Sequence, residues 1–245
     1  MGAPEWRLID DVETTDLAVD HMRTDVEMLE RVAAGDHPAL RLYTWPMPTL
    51  SLGRFQDAAD VDEVACARLG VRITRRPTGG AALLHGADLT YSLAMRLEAG
   101  ADNGVQPVYD RIAGALIVGL ERLGVSAAIA RHDRAPGAVC FASQQGADLR
   151  VGDRKVCGSA QVRRQGAVLQ HGSILLRRLD IDECDLVTAA CDRGTLRRAT
   201  VTLEELGAPI DPRSVASAIV AGFSDWLGAS FGPSTLVVQG SDAHR

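Results

Sequence analysis

The chain has 245 residues, 46% of them hydrophobic, and a formal net charge of −6. These ordinary values predict a packed globular core, and the length allows one large domain or two small ones. The negative charge argues against a nucleic-acid surface spread over the whole protein, and the longest apolar stretch, residues 112–120, is far too short for a membrane span. The acidic start lacks an apolar segment, so we expect no secretory signal and a cytoplasmic location.

Five cysteines show no CxxC pair and no regular spacing: Cys66, Cys140, Cys157, Cys184 and Cys191. An odd count in a chain of this size predicts reduced cytosolic thiols, most of them small buried hydrophobes. Cys140 differs because it lies in residues 131–147, which have no period and read as a loop. A loop cysteine is a better candidate nucleophile than Cys157, which lies in a strand-like run and reads as core.

The first half of the chain alternates short strands with two helices. A helix with apolar residues at helical spacing from Met22 to Ala33 is predicted to start at Thr14 or Thr15 and to stop at Gly35. A shorter helix spans residues 60–70, in which Asp60 and Glu63 have capping-box spacing. Strands are predicted at residues 5–10, 39–45, 49–55, 71–74, 81–85 and 88–96.

In the second half, Pro107 is predicted to begin a strong helix that Gly124 closes. Asp211-Pro212 opens a late helix, and the tail beyond about Gly240 looks frayed. Strands are predicted at residues 125–130, 148–151, 154–164 and 167–176. With no repeat or linker, we expect a single domain over residues 1–245 of the α+β class, with a mixed, largely antiparallel sheet flanked by helices.

The stretch RRPTGGAALLH, residues 75–85, contains several residue types that commonly bind ligands: two arginines, two glycines and a histidine. Adjacent arginines on a strand face opposite sides, so at most one of Arg75 and Arg76 points comfortably to solvent, and the buried one needs an anionic or carbonyl partner. Gly79 and Gly80 either form the flexible corner of a hairpin or let backbone N–H groups approach an anion. His85 is more often a structural histidine than a catalyst.

Lys155 lies in a hairpin, where a lysine is ordinarily solvated. The small residues Gly158, Ser159 and Ala160 that follow it let a ligand or another strand approach closely, and the ammonium could then neutralise a carboxylate, a phosphate or an oxyanion. His171 on the next strand could be structural. No carboxylate or cysteine stands at ligand spacing from these histidines, so no metal site is expected.

Three blocks of this sequence, in order, resemble the signature of the lipoate-protein ligase and octanoyltransferase superfamily. They are residues 45–56 (WPMPTLSLGRFQ), residues 75–92 (RRPTGGAALLHGADLTYS) and residues 154–175 (RKVCGSAQVRRQGAVLQHGSIL). The resemblance covers Trp45 to Leu176 and implies the biotin/lipoate protein ligase catalytic fold.

Within the superfamily, Cys140 followed by Lys155 looks like the cysteine–lysine arrangement of the octanoyltransferases of bacilli. Pro77-Thr78 and the LTYS run at residues 89–92 fit the same branch. After Leu176 too few residues remain for the extra C-terminal domain that the ATP-dependent ligases carry. Ala81 departs from the glycine or arginine usual in the family.

This resemblance implies an enzyme that moves an octanoyl (or lipoyl) group from acyl carrier protein to a lysine on the lipoyl domain of a 2-oxoacid dehydrogenase E2 or on the glycine-cleavage H protein. Cys140 would form the thioester, and Lys155 would lower the pKa of its thiol and steady the oxyanion. No cofactor, nucleic acid or membrane would be required. The implied substrate-binding residues are Arg75, Arg76, Thr78, Gly79, Gly80, His85, Gly158, Ser159, Ala160 and His171, with Leu83 and Val156 along the acyl chain.

An alternative is an ATP-dependent lipoate or octanoate ligase, which would use ATP and Mg²⁺. Arg75, Gly79, Gly80 and Lys155 would then hold an acyl-adenylate, and Cys140 would be incidental. An enzyme that moves the acyl group from H protein to other lipoyl domains would share the same cysteine. A non-catalytic lipoyl-handling protein ranks last because the lysine and arginines are present.

Overall fold

The computed structural model describes residues 5–17, 19–97, 104–130 and 148–232. In chain order its strands and α-helices are β1 (Glu5–Asp11), α1 (His21–Ala33), β2 (Ala39–Tyr43), β3 (Thr49–Leu52), α2 (Glu63–Arg68), β4 (Arg72–Arg75), β5 (Leu83–His85), β6 (Asp88–Arg96), α3 (Val105–Glu121), β7 (Ala128–Ile129), β8 (Leu149–Val151), β9 (Arg154–Arg164), β10 (Ala167–Leu175), α4 (Arg193–Ala199), α5 (Pro212–Leu227) and β11 (Ser230–Phe231).

Eight of these strands form one sheet in the order β11-β1-β2-β6-β10-β9-β8-β7, and three form a smaller sheet in the order β4-β3-β5. In the large sheet β1 runs parallel to β11 and β2, and every pair from β2 to β7 is antiparallel. The β9–β10 turn uses Gln165 and Gly166, both at positive φ, the backbone of a tight two-residue hairpin. The predicted α+β class with a mixed, largely antiparallel sheet is confirmed.

The two faces of the large sheet carry different side chains. Helices α3 and α5 pack together over one face, where Tyr91 and Ile174 belong to the main apolar core. On the other face Leu29 of α1 packs with Leu169 of β10. Because side chains alternate along a strand, His171 shares the face of Leu169. The α1 face of β10 thus turns from apolar to polar along the strand, and the small sheet adjoins its polar end.

The small sheet has its own apolar cluster, which α2 and α4 complete. Leu50 of β3, Cys66 of α2 and Leu196 of α4 are all buried in it. The chain passes from this unit into the large sheet between β5 and β6 and returns to it after β10. The segment between β4 and β5, residues 76–82, contacts both sheets, because Arg76 bonds Ser51 of β3 and Thr78 bonds His171 of β10.

The positions of two helix caps correct the sequence prediction. Asp20, and neither Thr14 nor Thr15, caps α1, because its carboxylate accepts the backbone N–H three residues further on. Asp62 caps α2 in the same way, so the capping box proposed from Asp60 is wrong. In both cases an aspartate directly before the helix satisfies an N–H group that the first turn leaves without a partner.

The two long helices are close to the prediction. Helix α3 begins at Val105, two residues before Pro107, and the chain leaves it through Gly124, which has φ +78. Helix α5 begins with Pro212 after the cap Asp211, as predicted. No helix in the described part of the chain is long and apolar enough to cross a membrane.

The cysteines depart from the prediction at one place. Cys184 and Cys191 form a disulfide, so the expectation of reduced thiols is wrong for this pair. A 3-10 turn at Cys184 and the start of α4 just after Cys191 fold the intervening chain back, which leaves the two Cα atoms 5.0 Å apart. Cys66 and Cys157 are free and buried, as predicted.

Candidate active site

A pocket enclosing about 520 Å³, part of it open to solvent, lies between the small sheet and strands β9 and β10. Most of the predicted substrate-binding residues meet in its wall: Arg76, Gly80, His85, Gly158, Ser159, Ala160 and His171. Leu83 also lines it, as expected for the acyl chain. Val156 does not, because it is fully buried in the core on the other side of the sheet.

Arg76 braces the glycine loop, the segment of residues 76–82 that contains Gly79 and Gly80. Its guanidinium is buried and donates to the backbone oxygen and the hydroxyl of Ser51, at 2.6 and 2.7 Å. The other terminal nitrogen donates to the carbonyl oxygens of Gly79 (3.2 Å) and Ala81 (2.8 Å). The expectation that one of the two arginines is buried against carbonyl partners is confirmed. Ala81 takes part through its backbone, so its side chain does not alter this bracing.

Arg75 is exposed and serves the neighbouring turn. It donates to the carbonyl oxygens of Gly53 (2.8 Å) and Gln56 (2.7 Å) and does not line the pocket. Gly53 in turn packs on the glycine loop so closely that a methyl group there would lie 1.7 Å from the carbonyl oxygen of Gly80. Gly80 itself has φ +98, which favours glycine.

Lys155 is only 1% exposed, so the interpretation of a solvated hairpin lysine is wrong. Its Nζ lies 2.8 Å from Oδ2 of Asp148, a residue just before β8 and across the hairpin from it. The other carboxylate oxygen of Asp148 accepts the backbone N–H of Ser159 at 3.3 Å. Asp148 also lines the pocket. It was not predicted, although the position of a carboxylate across a hairpin from a lysine could have indicated the pairing.

His85 is held on both sides of its ring. Nδ1 lies 2.9 Å from a carboxylate oxygen of Asp88, and Nε2 lies 2.8 Å from the hydroxyl of Ser51. The ring stacks on Trp45 with 4.2 Å between centroids and 21° between planes. His85 therefore forms a rigid part of the pocket wall, which agrees with its reading as a structural histidine.

His171 is held in the same manner by two residues from distant parts of the chain. Its Nδ1 lies 3.1 Å from Oδ2 of Asp25, on α1, and its Nε2 lies 2.7 Å from the hydroxyl of Thr78. Burial lowers the pKa of His171, so its imidazole is neutral. Asp25 was not predicted, because an acidic residue on an amphipathic helix ordinarily faces water.

The small residues of β9 and β10 let the two strands and a core tyrosine meet closely. A methyl group at Gly172 would lie 2.5 Å from both the carbonyl oxygen of Gly158 and a ring carbon of Tyr91. The tyrosine hydroxyl also pairs with the Ser159 hydroxyl at 2.7 Å. The predicted close approach along Gly158-Ser159-Ala160 is confirmed, and backbone fills the space that larger side chains would take.

Of the two candidate cysteines, only Cys157 lies among the described residues. Cys140 lies in residues 131–147, outside the described residues. Cys157 is fully buried, and burial raises the pKa of its thiol to about 12, so it is a core residue, as predicted. The described residues contain no group of three or more His, Cys, Asp or Glu side chains placed to hold a metal ion.

Known proteins share both the sequence family and the fold of this chain. Residues 18–224 match the lipoyl protein ligase A/B catalytic domain, and the chain belongs to that family. Among its relatives, octanoyltransferase LipM of Carboxydothermus hydrogenoformans is 35% identical over an alignment that covers 98% of this chain and 93% of the relative. Octanoyltransferase LipM of Kyrpidia tusciae is 37% identical over an alignment that covers 96% of this chain and 91% of the relative.

Solved structures agree on the fold. Lipoate-protein ligase A bound with ATP superposes with a TM-score of 0.77 at 22% identity, covering 98% of this chain and 90% of that one. Protein Ta0514 from T. acidophilum with bound lipoic acid gives the same TM-score and identity, covering 98% and 91%. The family and fold implied by the sequence resemblance are confirmed.

Proposed function

We propose that the chain transfers an octanoyl group from acyl carrier protein to a lysine of a lipoyl domain, through a thioester on Cys140. Octanoyl transfer in protein lipoylation is supported by octanoyltransferases that match nearly the whole chain at 35% and 37% identity. That match, with the pocket walled by the glycine loop and the β9–β10 hairpin, is the observation on which the proposal depends.

The proposed reaction has two acyl transfers. The Cys140 thiolate attacks the carbonyl carbon of the donor thioester, a new C–S bond forms, and the carrier leaves as its thiolate, which takes up a proton. The neutral acceptor amine then attacks the enzyme thioester. An amide forms, the Cys140 thiolate is regenerated, and the amine loses its proton to solvent. Neither step needs a nucleotide or a metal ion.

Lys155 is proposed to supply a positive charge near the reacting carbonyl, with one change to its expected role. Lys155 does not line the pocket itself, but its partner Asp148 does. The carboxylate of Asp148, 2.8 Å away, partly offsets the ammonium charge that would otherwise lower the pKa of a nearby thiol. An ammonium has three N–H donors, so it can keep Asp148 and still donate to the oxyanion. We therefore assign Lys155 chiefly to the oxyanion, with Asp148 holding it in place.

The acceptor and the donor are proposed on different grounds. A structural neighbour at 22% identity and TM-score 0.72 is a bi-partite lipoate protein ligase of Thermoplasma acidophilum described with its E2 lipoyl domain. By analogy, the acceptor here is the lipoyl domain of a 2-oxoacid dehydrogenase E2 or the glycine-cleavage H protein. Acyl carrier protein as donor and a cytoplasmic location follow from the resemblance of the sequence.

The test is intact-mass spectrometry after incubation with octanoyl carrier protein in the absence of ATP. We expect an octanoyl adduct on the wild-type chain and on Cys157→Ala, and none on Cys140→Ala. Addition of a lipoyl domain should discharge the adduct and octanoylate the domain. An adduct on Cys140→Ala, or transfer by that variant at the normal rate, would show that the thioester route is wrong.

The second candidate is the ATP-dependent ligase, because the chain shares its fold with lipoate-protein ligase A bound with ATP. Octanoate- or lipoate-dependent exchange of pyrophosphate into ATP distinguishes the two. We expect no exchange. Exchange by wild type and by Cys140→Ala alike would establish the adenylate route and make the cysteine incidental.

A further inference from the structure

Three side chains from separate elements form a buried chain of hydrogen bonds that ends on the glycine loop. Asp25 of α1 bonds His171 of β10, which bonds Thr78, the residue directly before Gly79 and Gly80. All three residues are at most 4% exposed. The chain of contacts begins on the helix that covers the large sheet and ends on a loop of the small one.

The charge of Asp25 fixes the arrangement of protons. Although burial opposes it, hydrogen bonds from His171 and the charge of Arg41 hold the pKa of Asp25 below its ordinary value. Arg41 is itself fully buried, with one guanidinium nitrogen 3.0 Å from Asp25. An ionised carboxylate only accepts hydrogen bonds, so Nδ1 of His171 carries the proton. In a neutral imidazole Nε2 is then an acceptor, and the Thr78 hydroxyl donates to it.

The backbone of Thr78 is anchored as well. Its carbonyl oxygen accepts the backbone N–H of Arg54 at 2.8 Å. The glycine loop is therefore fixed to the small sheet through Arg76 and Arg54 and to the large sheet through His171. Gly80 of the glycine loop and Ser159 of β9 both line the pocket, and the His171–Thr78 bond joins this loop to the neighbouring strand β10.

We propose that Asp25 and Thr78 are positioning residues, which act through His171 to hold the glycine loop at the distance from β9 that the acyl carbonyl requires. The inference rests on the proposed acyl transfer and adds to it the residues that set the shape of the pocket. It predicts a larger effect on turnover than on donor affinity, because the loop holds the reacting carbonyl while the carrier protein binds elsewhere.

The test compares variants that keep or remove the hydroxyl of Thr78. Thr78→Val keeps the shape of the side chain and removes the donor, whereas Thr78→Ser keeps the donor and loses only the methyl group. Thr188→Val is the same change at an exposed threonine that does not line the pocket. With octanoyl carrier protein and a lipoyl domain, kcat of Thr78→Val should fall on the order of tenfold, the effect of one lost hydrogen bond, with KM within about twofold. Thr78→Ser should recover to within about twofold of wild type, and Thr188→Val should match wild type.

Unchanged kcat in folded Thr78→Val, or equal losses in Thr78→Val and Thr78→Ser, would overturn the inference while leaving wild-type transfer intact. If Thr78→Val does not fold, Thr78→Ala takes its place, because it removes the same hydroxyl and adds no volume, and kcat should again fall more than KM rises. Asp25→Asn, which leaves Arg41 with Asp11 as its carboxylate partner, should do the same once the variant is shown to be folded, because its amide no longer enforces one proton arrangement on His171. Normal kcat in either folded variant would also overturn the inference. A folded wild-type chain without transfer activity would instead refute the proposed function on which it rests.

Discussion

Replacing Lys155 with methionine removes the ammonium from a carboxylate that lies in a nearly closed site. Lys155 and Asp148 have side chains 1% and 2% exposed, with 2.8 Å between Nζ and Oδ2. Breaking a buried ion pair by removing one partner typically costs about 3–5 kcal/mol, because the remaining charge keeps its desolvation penalty. A small effect on folding would be expected only if the head of this side chain faced solvent, and it does not.

A double-mutant cycle separates this charge effect from packing. Asp148→Asn keeps an oxygen that can accept the Ser159 N–H, so Lys155→Met combined with Asp148→Asn removes both charges and leaves that hydrogen bond. We expect the double variant to be more stable than Lys155→Met alone by about 2 kcal/mol, since no charge is then buried without its partner. Urea unfolding followed by circular dichroism at neutral pH gives all four free energies.

Two results would refute this reasoning. A loss of less than about 1 kcal/mol in Lys155→Met, the range of a surface ion pair, would show that the buried pair contributes nothing more. A double variant no more stable than the single one would show that the loss comes from packing. Octanoyl transfer should fail in both variants, because the donor to the oxyanion is absent in each.

Three further predictions concern other parts of the chain. Burial raises the pKa of Glu183 from 4.5 to about 7, so the stability it contributes is fully present below about pH 4.5 and is lost as pH rises through 7. Urea unfolding should therefore show wild type losing about 3 kcal/mol relative to Glu183→Gln between those pH values, and a constant difference would contradict it. Gly53→Ala should reduce initial rates of transfer at least about tenfold, because its methyl group meets the Gly80 carbonyl. Gly79→Ala should retain most activity, because its methyl group meets no heavy atom within 4 Å. Equal losses in the two variants would argue against the steric explanation. Iodoacetamide at about pH 8 should leave Cys157 unlabelled in the native protein and label it in urea, because burial keeps this thiol protonated. Peptide mass spectrometry measures the labelling. Labelling of the native protein would mean that the thiol is accessible.

The regular elements follow from the sequence because their signals are local. The β9–β10 hairpin is visible in two alternating runs around Gln165-Gly166, and α5 in its Asp211 cap and apolar period. Helix α4 was missed because RGTLRRA is mostly polar and buries only Leu196. Its stability comes from contacts with distant residues, which no local pattern records.

The sequence predicts which residues line the site, but it does not predict which side chains pair with them. Motif positions such as Gly80, Ser159 and His171 do meet in the pocket. The partners that fix their chemistry, Asp25 and Asp148, lie far away in sequence or across a hairpin, and each looks like an ordinary surface acid. Whether a charged side chain is solvated or buried depends on such partners, so this property needs three-dimensional structure.

The order of strands in the large sheet has a consequence for synthesis of the chain. Strand β10 lies at the centre, between β6 and β9, and β11 pairs with β1 from the opposite end of the sequence. As the ribosome releases the chain, β6 can pair with β2 early, but its other edge stays open until residue 175 has emerged. An unpaired strand edge whose residues are buried in the folded protein is prone to pair with other chains. The nascent protein therefore passes about a third of its synthesis, from residue 96 to residue 175, with this central edge unpaired, and chaperone binding would protect it most in that interval.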